Sequence, residues 1–177
     1  MFPQFSRPLM TMPQHGFARN SIWTKYSESI DPNSVSVTFA LRDSASTLKV
    51  FPHAFCVLYT VKLSCGELSL NFAVENPDSA PSPFKCHTLL HTYLATNTAS
   101  TVVRGFGGLM YTDQLGDCGE HMNEGEENII DREIDRKYHA YRGTVVVASS
   151  TPTAAAPKET HITASAYLGT ESHPVDM

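Results

Sequence analysis

"FCVLYTVKLSCGELSLNFAVEN", residues 55–76, decides the fold class. Phe55, Val57, Tyr59, Val61 and Leu63 recur at every second position, the period of a strand with one buried face. Ser64 to Glu67 interrupt the pattern with a glycine, and Leu68, Leu70, Phe72 and Val74 then resume it. Two period-two runs around a short glycine-containing break predict a β-hairpin.

The same period extends on both sides. In "SVSVTFALRD", residues 34–43, Val35, Val37, Phe39 and Leu41 alternate with small or polar residues. "ENPDSAPSP", residues 75–83, carries three prolines and reads as a turn or loop. "CHTLLHTYLAT" (86–96) and "STVVRGFGGLMYTDQL" (100–115) are β-rich. The unbroken valines of "RGTVVVASS" (142–150) suit a strand buried on both faces. No long helical periodicity appears. "GDCGEHMNEGEENIIDREIDRKY" (116–138) is the best helical alternative, but its glycines and asparagines favour a loop entering a strand. Residues 150–160, small and proline-containing, read as an exposed loop. Many short strands separated by turn signals predict an all-β antiparallel sandwich or barrel.

Composition sets outer bounds. The 177 residues are 41% hydrophobic and 18% charged, which fits one globular domain or a piece of one. A chain of this length can bury roughly 70% of its unfolded surface without staples. The net charge is −5 and the basic residues are scattered, which speaks against non-specific nucleic-acid binding. Cys56, Cys65, Cys86 and Cys118 form no C-x-x-C pair, a usage that suggests reduced thiols and a cytoplasmic setting. No run of about 18 apolar residues exists, so no membrane helix is expected. "MFPQFSRPLMTMPQ", with its early prolines, does not read as a secretory signal.

The densest candidate chemistry is "MPQHGFARNSIW", residues 12–23, where His15, Arg19 and Trp23 surround a glycine. A histidine and an arginine this close suit an oxygen-rich or anionic ligand. His87 and His91 have H-x3-H spacing, but on a strand four residues span about 13 Å, too far for one metal ion. No glutamate lies between them to serve as a metalloprotease base, so no metal is expected. "RGFGG", residues 104–108, lacks a helix start after it and reads as a turn or bulge rather than a phosphate loop. The acidic run Glu120 to Glu127 lacks the calcium-loop pattern and reads as solvated. Asp135 beside Arg136 would ordinarily be a surface pair. His91 follows two leucines and precedes Thr92 and a tyrosine; alone, it would be a hydrogen-bonded histidine on half-buried backbone.

Taken in order, "FPQF" (2–5), "PQHGFARNSIW" (13–23), "LLHTY" (89–93), "GGLMYTDQL" (107–115) and "EIDRKY" (133–138) change that reading. Together they resemble the glucose-6-phosphate 1-epimerase branch of the aldose 1-epimerase (galactose mutarotase-like) family. The resemblance implies a large antiparallel β-sandwich, the galactose mutarotase-like supersandwich, with all of 1–177 one partial domain of it. It implies that His91 is the catalytic general acid and that Gln14, Arg19 and Asp135 bind substrate, with His15 supporting the sugar in the same cleft segment. The partner implied is a hexose 6-phosphate, bound by a monomer without cofactor or metal. Such chemistry opens and recloses the hemiacetal ring, a base taking the C1 hydroxyl proton while an acid protonates the ring oxygen. Each positioned acid or base typically gives about 10²–10⁴ in rate. A histidine can serve in both directions near neutral pH, and an arginine fork suits a phosphate.

The chain also departs from the family pattern. That pattern has an arginine-glycine-glycine segment just before "FPQF", and here only Met1 stands there. A glycine usually follows "FPQF", where this chain has Ser6. The family's general base is a glutamate in a glutamate-proline-glycine motif near its C-terminus. Glu159 and Glu171 have no such context. The expected sandwich is therefore incomplete, with open sheet edges and exposed apolar faces. The alternative to an epimerase is a non-catalytic sugar-phosphate-binding module or an inactive fragment.

Overall fold

The hairpin expected at residues 55–76 is present and its register follows the sequence period. In the computed structural model, β3 (Cys56–Ser64) pairs antiparallel with β4 (Glu67–Glu75). The register sets Val57 opposite Val74, Tyr59 opposite Phe72, Val61 opposite Leu70 and Leu63 opposite Leu68. Cys65 and Gly66 make the two-residue link, with Gly66 at φ 76, a left-handed position that favours glycine. The structure describes residues 1–77, 82–139, 141, 143–149, 158–163, 167–168 and 173–174. They form two compact units, Met1–Thr92 and Tyr93–Met177.

In the first unit the hairpin extends into a four-stranded meander, β1-β2-β3-β4, through β1 (Thr24–Asp31) and β2 (Ser34–Arg42). The β2 alternation lands on the same face: Leu41 is opposite Val57, Phe39 opposite Tyr59, and Val37 opposite Val61. Cross-strand rows of this kind are what hold an antiparallel sheet in register. Burial falls along the face. Val57 is fully buried and Leu41 nearly so, whereas Ile30, Val35, Leu63 and Leu68 at the other end form an exposed aliphatic row.

The buried end is packed by loops rather than by another strand. Phe2, Met12 and Ala18 from the N-terminal segment join Phe51 and Phe55 from the β2–β3 loop, over Leu41 and Val57. The Phe2 ring meets Phe17, Phe51 and Phe55 edge-on at centroid distances of 6.0, 5.9 and 5.1 Å. Full burial of each such side chain contributes about 1.5–3 kcal/mol. Asp43 closes the base of the β2–β3 loop, its Oδ1 accepting the Phe55 N–H at 3.2 Å.

The second unit holds shorter strands. One sheet has the order β11-β10-β5-β8, from β5 (Thr101–Arg104), β8 (Glu127–Ile129), β10 (Thr144–Ser149) and β11 (Lys158–Thr163). Another has the order β7-β6-β9, from β6 (Met110–Asp113), β7 (Glu120–Met122) and β9 (Arg136–Tyr138). A small pair joins β12 (Tyr167–Leu168) to β13 (His173–Pro174). The all-β expectation holds. Among the described residues the only helices are 3₁₀ turns at Ala18–Asn20 and Thr98–Ser100, and every paired strand is antiparallel.

Several local expectations need correction. "CHTLLHTYLAT" forms no strand. It is bonded to the N-terminal residues at His87 and Leu89, but too briefly to make a ladder. The valines of β10 are half-buried rather than buried on both faces, although β10 is central in its sheet. Residues 158–160 belong to β11 and not to a loop, while 150–157 lie outside the described residues, as do 78–81 of the proline-rich stretch. "RGFGG" is the expected turn, linking β5 to β6.

Candidate functional site

The segment 12–23 is held against the core by its own small and aromatic residues. Gly16 lies so close to Phe2 that the Phe2 carbonyl accepts the N–H groups of both Phe17, at 3.1 Å, and Ala18, at 3.3 Å. Ala18 is buried, and its carbonyl accepts the Trp23 indole N–H at 2.9 Å. The Trp23 ring in turn packs edge-on against Tyr59 and Phe72 of the sheet, both at 6.3 Å. Phe17, Ala18 and Trp23 thus anchor the segment, whereas Ile22 is exposed, as are Gln14, Arg19 and Asn20.

Three of the expected ligand-binding residues, Gln14, His15 and Arg19, lie on this segment. Arg19 sits in the first 3₁₀ turn, and its Nη2 donates to the Gln14 carbonyl at 3.1 Å, leaving the rest of an exposed guanidinium fork. Gln14 is exposed beside it. His15 is half-buried, with its backbone in the left-handed region at φ 65. Its Nδ1 accepts the Ser6 N–H at 3.1 Å, and its own N–H donates to the Ser6 carbonyl at 2.8 Å.

His91 belongs to the same unit. Its segment runs beside the N-terminus: the His87 N–H donates to the Pro3 carbonyl at 2.9 Å, and the Leu89 N–H to the Met1 carbonyl at 3.2 Å. The Met1 ammonium donates back to the Leu89 carbonyl. Burial, and next the Arg19 guanidinium, hold that ammonium below the usual α-amine range. Arg19 and Leu89 therefore both border Met1. His91 lies two residues beyond Leu89 and is exposed rather than packed in a half-buried row.

Asp135 belongs to the second unit. Its carbonyl accepts the Gln114 N–H at 2.8 Å, which joins "DQL" to "EIDRKY" just where Asp113 pairs with Arg136 between β6 and β9. The two charged neighbours part where β9 begins. Asp135 is exposed, whereas Arg136 lies over the Tyr111 ring at 4.5 Å and donates from Nη1 to Asn128 Oδ1 at 3.4 Å. The Arg136 Nε is buried with no hydrogen-bond partner. A depression of 230 Å³ lies between the Asp113–Gly116 turn and residues 132–136, lined by Arg136 but not by Asp135. Next to it Asp113 Oδ1 accepts the N–H groups of Leu115 and Gly116, and these bonds hold its carboxyl below the usual range.

The structure thus gathers Gln14, His15 and Arg19 on one braced segment and places His91 on a strip bonded to the same N-terminal residues. No group of three His, Cys, Asp or Glu side chains able to hold a metal occurs among the described residues. Nor is any helix there long and apolar enough to cross a membrane. The sequence alone assigned no role to Gln4 or Ser6, which shape the loop carrying His15. The buried Gln4 amide offered one signal, a polar residue inside the apolar "FPQF" segment.

The chain is similar to known proteins. The aldose 1-epimerase family model matches residues 1–139. A Cenchrus ciliaris protein described as a candidate glucose-6-phosphate 1-epimerase is 30% identical over 146 residues, 77% of this chain and 44% of the relative. An Escherichia coli K12 protein of the same description is 34% identical over 131 residues, 72% of this chain and 41% of the relative. The crystal structure of a candidate mutarotase from Salmonella typhimurium superposes with a TM-score of 0.69 at 28% identity, covering 84% of this chain and 48% of the other. The chain spans less than half the length of these relatives.

Proposed function

The chain belongs to the aldose 1-epimerase family, and from that premise we propose that it serves the interconversion of α and β anomers of a hexose 6-phosphate. The observation that carries this reading is the presentation of Gln14, His15 and Arg19 on one segment braced by Phe2, Ala18 and Trp23. The E. coli relative's description as a glucose-6-phosphate 1-epimerase candidate supports the choice of sugar. In this reading Arg19 offers its remaining guanidinium donors to phosphate or hydroxyl oxygens. Gln14, His15 and Asp135 bond sugar oxygens, and all of 1–177 forms part of one mutarotase-like domain.

His91 is the general acid. It protonates the ring oxygen as the C1–O bond opens, while a base removes the C1 hydroxyl proton to leave the aldehyde. Rotation about C1–C2 and closure on the other face reverse both transfers. The protein acts in the cytoplasm as a monomer and needs no cofactor.

Calorimetry with glucose 6-phosphate, paired with NMR exchange spectroscopy of the two anomers, tests the reading. Binding with accelerated exchange is expected. His91→Ala should then keep binding and lower the exchange rate about 10²–10⁴-fold. Binding without acceleration would replace the epimerase with a non-catalytic sugar-phosphate-binding module. A folded chain that binds no hexose 6-phosphate would overturn both.

A further inference from the structure

The first loop of the chain is tied by one buried side chain. The Gln4 amide is 2% exposed, and both its ends are committed to the loop backbone. Its Nε2 donates to the carbonyls of Leu9 at 3.3 Å, Met12 at 3.5 Å and Pro13 at 3.0 Å. Its Oε1 accepts the Leu9 N–H at 3.0 Å. A buried primary amide is costly to leave unsatisfied, so this knot fixes the loop's closure.

Closure brings Ser6 onto His15. The two residues exchange a reciprocal pair of bonds, Ser6 N–H to His15 Nδ1 at 3.1 Å and His15 N–H to the Ser6 carbonyl at 2.8 Å. Both lie in the left-handed region, at φ 59 and φ 65. Each such conformation is unfavourable for a non-glycine residue, and it persists only where the surroundings impose it. The Phe5 ring, 5.5 Å from the imidazole and tilted by 36°, flanks one side of it.

We infer that the Gln4-tied loop is a positioning device for His15, which fixes the imidazole as an Nε2–H donor toward the ligand. A main-chain N–H can only donate, so Nδ1 must offer its lone pair and the ring proton resides on Nε2. His15 then serves oxygen acceptors of a ligand, hydroxyl or phosphate, and is not a base toward them. That the ligand is a sugar phosphate rests on the function proposed above; the donor state of the ring does not.

The test is heteronuclear NMR on the intact chain with ¹⁵N-labelled histidine, with His15 assigned by loss of its signals in His15→Gln. In mildly alkaline buffer the His15 proton is expected on Nε2, with a scalar coupling across the hydrogen bond between Ser6 N and His15 Nδ1. Ser6→Gly keeps the N–H and tolerates the backbone, so both signatures persist. Ser6→Pro removes the donor and, because proline cannot hold the φ of 59 found at Ser6, also displaces the backbone there, so the coupling is lost. Gln4→Leu unties the loop, so the coupling weakens and the tautomers mix while the circular dichroism is retained. A His15 proton on Nδ1 in the unmodified chain overturns the inference even if no variant folds. So does a coupling unchanged in Gln4→Leu. None of these readouts needs a ligand, so they can fail while the sugar-phosphate reading stands, and the converse also holds. Where glucose 6-phosphate binds, Ser6→Pro should weaken it roughly 3- to 10-fold and Ser6→Gly should not.

Discussion

Gly16 and Gly66 share a backbone conformation and differ in what surrounds them, so the same substitution at each isolates the close approach that anchors residues 12–23. Their φ angles are 72 and 76. A Cβ on Gly66 meets nothing within 4 Å, whereas one on Gly16 would lie 2.1 Å from the Phe2 carbonyl oxygen and 2.7 Å from the Pro3 nitrogen. The left-handed backbone costs alanine about 1–2 kcal/mol. Reduced freedom of the unfolded chain offsets about 0.4–1 kcal/mol of that. Gly66→Ala should therefore cost roughly 1 kcal/mol. Gly16→Ala carries the same backbone cost and must also displace the Phe2 carbonyl. That disrupts two accepted hydrogen bonds, worth about 1 kcal/mol each. It also shifts a fully buried ring whose complete removal would cost about 3–5 kcal/mol. The total is roughly 3–5 kcal/mol. Urea unfolding followed by fluorescence reads this directly, because Trp23 is the sole tryptophan and its indole donates to Ala18 within the anchored segment. With a urea slope of about 1–3 kcal/mol per molar, the Gly16 variant should lose at least about 1 M of midpoint. Equal losses in the two variants would refute the close packing of Gly16 on Phe2.

Two further predictions follow from ionisable groups. Asp113 is held below the usual carboxylate range by the N–H groups of Gly116 and Leu115, and Asp117 by the His121 ring and the Gly119 N–H. A carboxyl depressed in the folded state stabilises it above the unfolded value of about 3.9 and loses that contribution as pH falls through the depressed value. Amide shifts of Leu115, Gly116 and Gly119 should hold steady from neutral pH to about pH 4 and move below it; movement complete by pH 5 would contradict these bonds. Burial pushes the Cys56 and Cys86 thiols up, while Cys65 and Cys118 are exposed. Maleimide labelling read by peptide mass spectrometry should modify the exposed pair roughly tenfold faster or more; uniform rates on the folded chain would contradict that burial.

The four-stranded sheet was legible where its apolar residues kept a period of two. The rows Leu41–Val57–Val74 and Phe39–Tyr59–Phe72 are the alternating positions of the sequence set side by side. β1 was not legible, for two reasons. All of its residues are exposed, so nothing selects apolar alternation along it, and a register shift between Lys25 and Ser27 breaks what period it has. "CHTLLHTYLAT" misled in the opposite sense, since its β-rich composition brought no ladder. Its backbone bonds go to Met1 and Pro3, partners that no local pattern reveals. In the second unit, strands of three residues at 120–122, 127–129 and 136–138 are too short for any periodicity to declare itself.

The candidate site divides along a similar line. Residue types in "PQHGFARNSIW" were enough to propose ligand binding because Gly16, Ala18 and Trp23 fill structural roles, which leaves Gln14, His15 and Arg19 without a place in the core. What sequence could not supply was the state of each group. The His15 ring owes its orientation to a bond from a residue nine positions earlier, and that bond exists only because Gln4 closes the loop between them. Asp135 and Arg136 looked like one surface ion pair, yet Arg136, the first residue of β9, lies on Tyr111 while Asp135, just before the strand, is exposed. An exposed pair would contribute under about 1 kcal/mol and leave Asp135 engaged. Because Arg136 is held by a ring and an asparagine instead, the sugar-binding role proposed for Asp135 would not have to break a pair with its neighbour.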